Sequence, residues 1–584
     1  MLAEEQIPET IEILAPKQQL VLSANNQSTE YYDDRDQHTL NRTVADKLST
    51  LSGVNLNGQG GQFQSYSIRG FSRGRIRTEV DGIPIITDRR AGNSISFIAP
   101  DLFSDVSVTK GPSSTLYGSQ ALGGVVSLTT AMNEQSSVKI EGQSGSAYKG
   151  ITLKHTKGNI DFGIAHQSAN NERAQEGEEL NTQFSRLSGL VRYQHQVNGL
   201  TATFSWLPSV GKDIGKSNVR YLNREISQYP QERHSLAQVQ VNSDRNWLLK
   251  VFHHYQNWDS ETLRLDQYNA LTEYQSHTLG GQWLSLHEFN NSQSYFGFDW
   301  LSRKGVSIDS SYERFQTQEV LTTELITNEL VGDEANLAIY NKTDWQLGNT
   351  QLSFNLRYDW LQQQNDFRAD ITEQAISASF TAHYILSDSV NLGFELANGF
   401  RYPTLSERFF NGSTPRGLIT GNESLKPETS LGTQTSVNWQ ISDAIGIRSA
   451  FYYYDLNNYI ERYRINDDLL SYRNLPQAKV YGVEVEASWY VNDNIEHRFV
   501  FQQQNGRDQE QQRLDDLLPK KLNWSMLANF DNFSVTQAIT HYFDANNIGP
   551  SESEREHYTI WDMSLSYQLN PYQEVSLIDR KSVV

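Results

Sequence analysis

Leu352-Ser353-Phe354-Asn355-Leu356-Arg357-Tyr358-Asp359 alternates apolar and polar residues without a break. In an extended chain successive side chains point to opposite faces. Leu352, Phe354, Leu356 and Tyr358 therefore share one face, and Ser353, Asn355, Arg357 and Asp359 share the other. The pattern recurs far along the chain. Val483, Val485, Ala487, Trp489 and Val491 interleave with Glu484, Glu486 and Ser488. Trp561, Met563, Leu565, Tyr567 and Leu569 interleave with Asp562, Ser564, Ser566 and Gln568. A soluble sandwich gives the same reading in any single strand. Repetition across residues 133–584, with no clear helical period and few prolines, favours one large closed sheet. If its outer face meets lipid and its inner face a lumen, the fold is an all-β transmembrane barrel.

Bulk properties agree. A chain of 584 residues is too long for one soluble core and would split into several domains, whereas a large barrel uses the length at once. Mean hydropathy is −0.59, and no stretch reaches the roughly 18–20 apolar residues a membrane helix needs. Crossing would have to be by strands. The 29 Tyr, 25 Phe and 11 Trp suit the aromatic girdles of such barrels. A net charge of −20 argues against nucleic acid as a partner. The absence of cysteine excludes disulfides and thiolate metal sites. No Ser/His/Asp grouping in motif context, no HExxH and no phosphate loop is found, so an enzyme is not expected, nor a cofactor or bound metal. The polar stretches 309–332 and 505–516 are expected to be long extracellular loops.

The chain changes character near residue 132. Ahead of it, short β-type runs at 66–69, 76–80, 105–109 and 124–129 lie among glycines. Val44, Leu48 and Leu51 fall at helical spacing within 43–51. Residues 31–132 thus read as a small α+β domain, 1–30 as a leading segment, and 133–584 as the barrel. Residues 1–6 carry no basic and apolar leader, so the chain is expected to be already processed or incomplete.

Four ordered blocks occupy the small domain. They are Ser67-Ile68-Arg69-Gly70-Phe71, Val80-Asp81-Gly82-Ile83-Pro84, Val108-Thr109-Lys110-Gly111-Pro112-Ser113-Ser114-Thr115-Leu116-Tyr117-Gly118, and Ala121-Leu122-Gly123-Gly124-Val125-Val126. Together they resemble the plug domain of TonB-dependent outer-membrane receptors. In the barrel, Phe400-Arg401-Tyr402-Pro403-Thr404-Leu405 and Gly421-Asn422-Glu423-Ser424-Leu425-Lys426-Pro427-Glu428-Thr429-Ser430 resemble paired boxes of that family. Tyr402 stands where the family has Ala, and Glu423-Ser424 replaces a Pro-Asn-like pair. The resemblance implies a barrel of 22 antiparallel strands in the outer membrane of a Gram-negative bacterium, its lumen filled by the plug.

Upstream, Glu9, Thr10, Ile11, Glu12, Ile13, Leu14 and Ala15 look like a TonB box. Such a segment adds as a strand to the periplasmic energy-coupling protein TonB, main-chain bonds giving affinity and alternate side chains specificity. In the family, arginines of the matching plug motifs latch onto barrel glutamates. Arg69 and Lys110 occupy those positions, Glu484 sits in the matching Gly-Val-Glu motif, and Gln434 takes what looks like the second glutamate position. Lysine lacks the planar fork of arginine, so a weakened latch is expected. Alternation sends Val483 and Val485 outward and Glu484 inward, where a carboxylate beside a packed plug needs a cationic partner.

Arg73, Arg75, Arg77, Arg89 and Arg90 form a basic group in plug loops that the resemblance places toward the extracellular mouth. They suit an anionic ligand, and the cargo expected is a ferric siderophore. Haem is disfavoured because 71–99 and 404–420 contain no histidine to ligate iron. Cobalamin fits the compact barrel without needing the arginines. A passive porin or barrel adhesin is the alternative from another class. The last ten residues contain no aromatic, whereas family barrels end on one, and the hexamer from Asp579 is what GAT CGG AAG AGC GTC GTG encodes, a common sequencing adapter. The expectation is that the closing strands are missing and that 579–584 is an artefact, a barrel left with unpaired edges.

Overall fold

The structure is a computed structural model describing residues 29–32, 42–56, 61–88, 95–130, 136–174, 177–217, 225–265, 267–316, 319–414, 417–466, 469–549, 552 and 554–583. The N-terminal domain holds a five-stranded sheet in the order Thr29–Tyr31, Asp105–Lys110, Gly124–Thr129, Ile76–Val80, Ile83–Pro84. Ile76–Val80 and Gly124–Thr129 run parallel, the other pairs antiparallel. A second sheet joins Val54–Leu56, Tyr66–Ile68 and Phe71–Ser72. Every residue of Ile76–Val80 and Gly124–Thr129 is buried, because the barrel encloses this domain and neither face meets water. Gly124–Thr129 accordingly shows no clean alternation, whereas Ile76–Val80 buries Arg77 and Glu79, which pair with each other at 3.0 Å. The helix Val44–Leu48 lies inside the expected 43–51 window, with Thr43 accepting from Asp46 N and Asp46 reaching back to Thr43 N. This reciprocal cap satisfies two orphan donors. Strand Thr29–Tyr31 belongs to the plug sheet, so the plug's edge lies ahead of the boundary expected at residue 31.

The large sheet holds 23 strands in sequence order from Ser137–Gln143 to Gln573–Val583 and forms a closed barrel, its neighbours antiparallel apart from a short parallel contact of Gly417–Thr420 with Leu469–Asn492. The resemblance implied 22. Two of the 23, Asn411–Thr414 and Gly417–Thr420, form a hairpin outside the wall, because Val390–Arg401 pairs directly with Glu428–Ser442. Registers join each wall strand to the next. Gln573–Val583 neighbours Ser137–Gln143 to close the barrel, and apolar side chains there are highly exposed, Ile140 at 77% and Leu577 at 68%. The final strand pairs along its length with Tyr558–Asn570, from Asn570↔Gln573 to Thr559↔Val583.

Along Thr350–Asn365, Ser353, Asn355, Arg357 and Asp359 are buried in the lumen and Phe354, Leu356 and Tyr358 are exposed outward. At one rim the strands turn in two or three residues, as at Asn198-Gly199, where positive φ at both residues makes the tight hairpin. At the other rim they run on. Ser292–Gln316 and Glu319–Leu347 stay paired almost to their tips, so the stretch 309–332 is a strand ribbon rather than the expected loop. Likewise Ile495–Asp508 carries strand into the expected loop 505–516. The ribbon is buried in part, at Ser310, Glu329 and Leu330, and backbone pairing with a few register shifts holds its two strands together.

Candidate functional site

Arg69 sits at the tip of the tight turn between Tyr66–Ile68 and Phe71–Ser72, with Ile68 paired to Phe71. Arg69 and Gly70 both have positive φ, 48° and 78°. A two-residue turn of this hand is the usual solution for such a hairpin. It drives the Arg69 side chain into the wall.

There the guanidinium meets Glu484 in a fork. Nε donates to Oε1 at 2.8 Å and Nη2 to Oε2 at 3.0 Å. Nη1 donates to Gln434 Oε1 at 2.5 Å and to Tyr454 Oη at 2.6 Å, and the Tyr452 ring lies 4.2 Å away. Arg69 is 1% exposed. Gln434 thus meets the guanidinium as a neutral acceptor beside the Glu484 carboxylate. Gly53 makes room for it. It has φ +65°, and a Cβ there would lie 2.2 Å from Glu484 Oε1. Its N–H donates to Gln502 at 3.0 Å and its carbonyl accepts from Arg69 N at 2.9 Å.

Lys110 reaches the same carboxylate from the plug sheet, Nζ to Glu484 Oε2 at 3.4 Å. Its shorter contacts are to Glu30 at 2.7 Å and Ser52 Oγ at 2.5 Å. Glu30 in turn accepts from Arg498 Nη2 at 3.1 Å, and Arg498 also holds Glu486. Burial alone would push the Glu30 carboxyl up, but Lys110 and Arg498 together outweigh it and hold it down at about 2. Sequence reading brought Arg69, Lys110 and Glu484 together. It missed Glu30, Gly53 and Tyr454, whose contacts follow from no local pattern.

The arginine group divides. Arg75 lies buried against Glu428, with Nη2 at 2.6 Å from Oε1, donates to the Ile460 carbonyl at 2.6 Å, and stacks 3.8 Å over Tyr459. Glu428 is shared with Arg401 Nε at 2.6 Å, and Arg401 Nη1 reaches Glu407 at 2.8 Å. Thus the two barrel boxes meet, Arg401 paired with Glu428 in register, and together grip the plug. Tyr402 packs edge-on to Phe400, and its N–H donates to Ser119 Oγ of the plug at 3.1 Å. Arg77 is buried and bound to Glu79 at 3.0 Å. Arg73 alone of the three is open, its side chain 47% exposed with Asp516 at 3.6 Å. Arg89, Arg90 and the TonB-box residues 9–15 lie outside the described residues.

Two further ties complete the seat. Asp81, at the tip of the hairpin turn of Val80-Asp81-Gly82-Ile83, accepts from Thr130 N and Oγ1 at 2.7 Å each, and its carbonyl accepts from Lys250 of the wall. Asp88 holds Arg303 at 2.5 Å. Among the described residues no group of three or more His, Cys, Asp or Glu could hold a metal ion. The arrangement ties the plug to the wall through buried ion pairs.

Two family models match, a TonB-dependent receptor plug domain over residues 23–125 and a TonB-dependent receptor-like β-barrel over residues 164–578. The vitamin B12 transporter BtuB of Vibrio vulnificus strain CMCP6 is 22% identical over 97% of this chain and 90% of its own length. BtuB of Vibrio cholerae strain M66-2 is 20% identical over 98% and 91%. Among solved structures, the copper transporter OprC superposes with a TM-score of 0.81 at 15% identity, covering 94% of this chain and 91% of that one. The siderophore receptor PirA from Acinetobacter baumannii gives 0.71 at 15% identity over 96% and 94%. With plug and barrel matched over most of its length, the chain belongs to the TonB-dependent receptor family.

Proposed function

We propose that this protein imports a scarce, bulky nutrient across the outer membrane of a Gram-negative bacterium, driven by TonB acting on residues 9–15. The observation that supports this most is the buried ionic seat of the plug. Arg69, Lys110, Arg75 and Asp88 each meet a wall residue of opposite charge, so the lumen is shut at rest and opening requires work. A passive porin has no use for that arrangement. The outward apolar band then faces lipid and the two-residue turns face the periplasm.

A corrinoid of the cobalamin type is the first reading for the cargo. The arginines that suggested an anionic ligand are largely engaged within the protein, Arg75 by Glu428 and Arg77 by Glu79, and relatives matched along nearly the whole chain are named as B12 transporters. A ferric siderophore is the second reading. It is favoured by the open Arg73 and by a ladder of lumen-side rings, Tyr229, Trp258 and Tyr274, stacked 5.2 and 4.8 Å apart, which suits flat aromatic chelators.

Deletion of residues 5–16 tests the transport reading. Surface display and binding should persist while uptake vanishes, and uptake that survives the deletion overturns it. Growth of a receptor-deletion strain, with and without this gene, on single sources of cobalamin, ferric siderophores, haem and copper assigns the cargo.

A further inference from the structure

We propose that Glu30 is the coupling residue through which a pull on the N-terminal segment opens the plug latch. The inference rests on the TonB-driven reading above. Six side chains form a line of alternating charge from the short-turn rim inward: Glu486, Arg498, Glu30, Lys110, Glu484, Arg69. The steps are 3.0 Å, 3.1 Å, 2.7 Å, 3.4 Å and 2.8 Å. Lys521 Nζ lies nearby, 3.4 Å from the Val54 carbonyl. Glu30 is the member that lies on the first described strand, directly after residues 1–28.

That strand is built to yield first. Thr29–Tyr31 is three residues long and, among the described residues, lies at the edge of the plug sheet and pairs only with Asp105–Lys110. Its side-chain ties besides Glu30 include one hydroxyl pair, Thr29 to Thr109 at 2.9 Å. Because side chains alternate along a strand, a slip of one residue turns Glu30 to the opposite face. Both of its ion pairs and its bonds to Ser52 N and Oγ would break in that single step.

The consequence reaches the latch. Without Glu30, the cluster of Arg69, Lys110, Arg498 and Lys521 is left facing Glu484 and Glu486 alone. Excess positive charge in a buried site is costly, and Lys110 must then compete with Arg69 for Glu484. Withdrawal of one carboxylate thus converts a short displacement at the N-terminus into a loosened seat deep in the lumen.

The test is mechanical and needs no transport substrate. Full-length protein, refolded into phospholipid vesicles and tethered through an N-terminal biotin, is held at fixed force, and the rate of the first opening event is read. Glu30→Gln, which keeps size and hydrogen bonding to Ser52, should raise that rate about tenfold, the factor that about 1.4 kcal/mol corresponds to. Lys110→Met should raise it as well, and adding Glu30→Gln to Lys110→Met should raise it by clearly less than Glu30→Gln does alone, because one of the two ion pairs of Glu30 is then already gone. An unchanged rate in Glu30→Gln, or effects that multiply independently, overturns the proposal. Arg498→Gln leaves Glu30 in place and removes its wall partner. If Glu30→Gln does not fold, an unaltered opening rate in Arg498→Gln overturns it equally. Uptake that survives deletion of residues 5–16 would end the TonB-driven reading while leaving the measured mechanical coupling intact.

Discussion

Glu30 carries its charge inside the protein with two cations and a serine around it, and its carboxyl is held at about 2 where 4.5 is ordinary. The unfolded chain takes up its proton near the ordinary value, whereas the seated plug does not until about 2. Its contribution is therefore fully present above about pH 4.5 and is lost as pH falls toward 2. Urea-induced release of the plug should accordingly be level from pH 8 to 5 and ease progressively below that. Glu30→Gln should flatten the part of the acid limb that Glu30 supplies, and an unchanged limb in that variant would assign it elsewhere. Arginine positions behave differently from one another for the same reason of surroundings. Arg75 and Arg77 are structural ties because carboxylates of the wall and of the plug reach them, while Arg73 stays open at the mouth.

Short turns and caps, more than strand cores, decide where the chemistry stands. The turn carrying Arg69 and Gly70 aims the guanidinium, and the turn at Gly53 leaves the volume that Glu484 fills. Gly53→Ala adds a Cβ where φ is +65° and where the carboxylate oxygen lies 2.2 Å away. The fork between Arg69 and Glu484 cannot survive that insertion unchanged. Breaking a buried pair of this kind costs about 3–5 kcal/mol, so protease nicking of the plug in isolated outer membranes should accelerate sharply while the barrel keeps its heat-modifiable migration. A plug as resistant as the original would show that the pair is not what seats it. The helix Leu405–Phe409 serves a matching purpose at the other rim: Thr404 and Glu407 cap each other, and the capped Glu407 is the carboxylate that steadies Arg401.

At the scale of the molecule, two environments are separated by one strand thickness. Inward residues, polar ones such as Arg357 and apolar ones such as Leu236 and Phe252, are buried; outward residues form an apolar band. Leu356 is 46% exposed on that band. Leu356→Arg should lower the stability of the vesicle-inserted barrel by about 2–4 kcal/mol, the usual cost of a cation at the bilayer midplane, read by refolding into phospholipid vesicles. A variant that inserts as stably as the original would place that face in water instead and remove the membrane reading of the band.

The sequence by itself determined the alternating wall, the α+β plug with its four blocks, and three members of the latch. The wall is written in local periodicity, which needs no knowledge of the remainder of the chain, while the plug blocks and the latch members were read from their resemblance to the motifs of the TonB-dependent receptor family. It misread the ribbon at 309–332 because a polar stretch without steady alternation carries no local sign that its backbone pairs with the neighbouring strand. It counted Glu30 as part of a leading segment and grouped five arginines by position. Only the tertiary structure decided which charges meet, because Glu30 finds Arg498 and Arg75 finds Glu428 across hundreds of residues of chain. A buried charge is fixed by whichever partner the closed wall brings to it, and no spacing in the sequence encodes that distance.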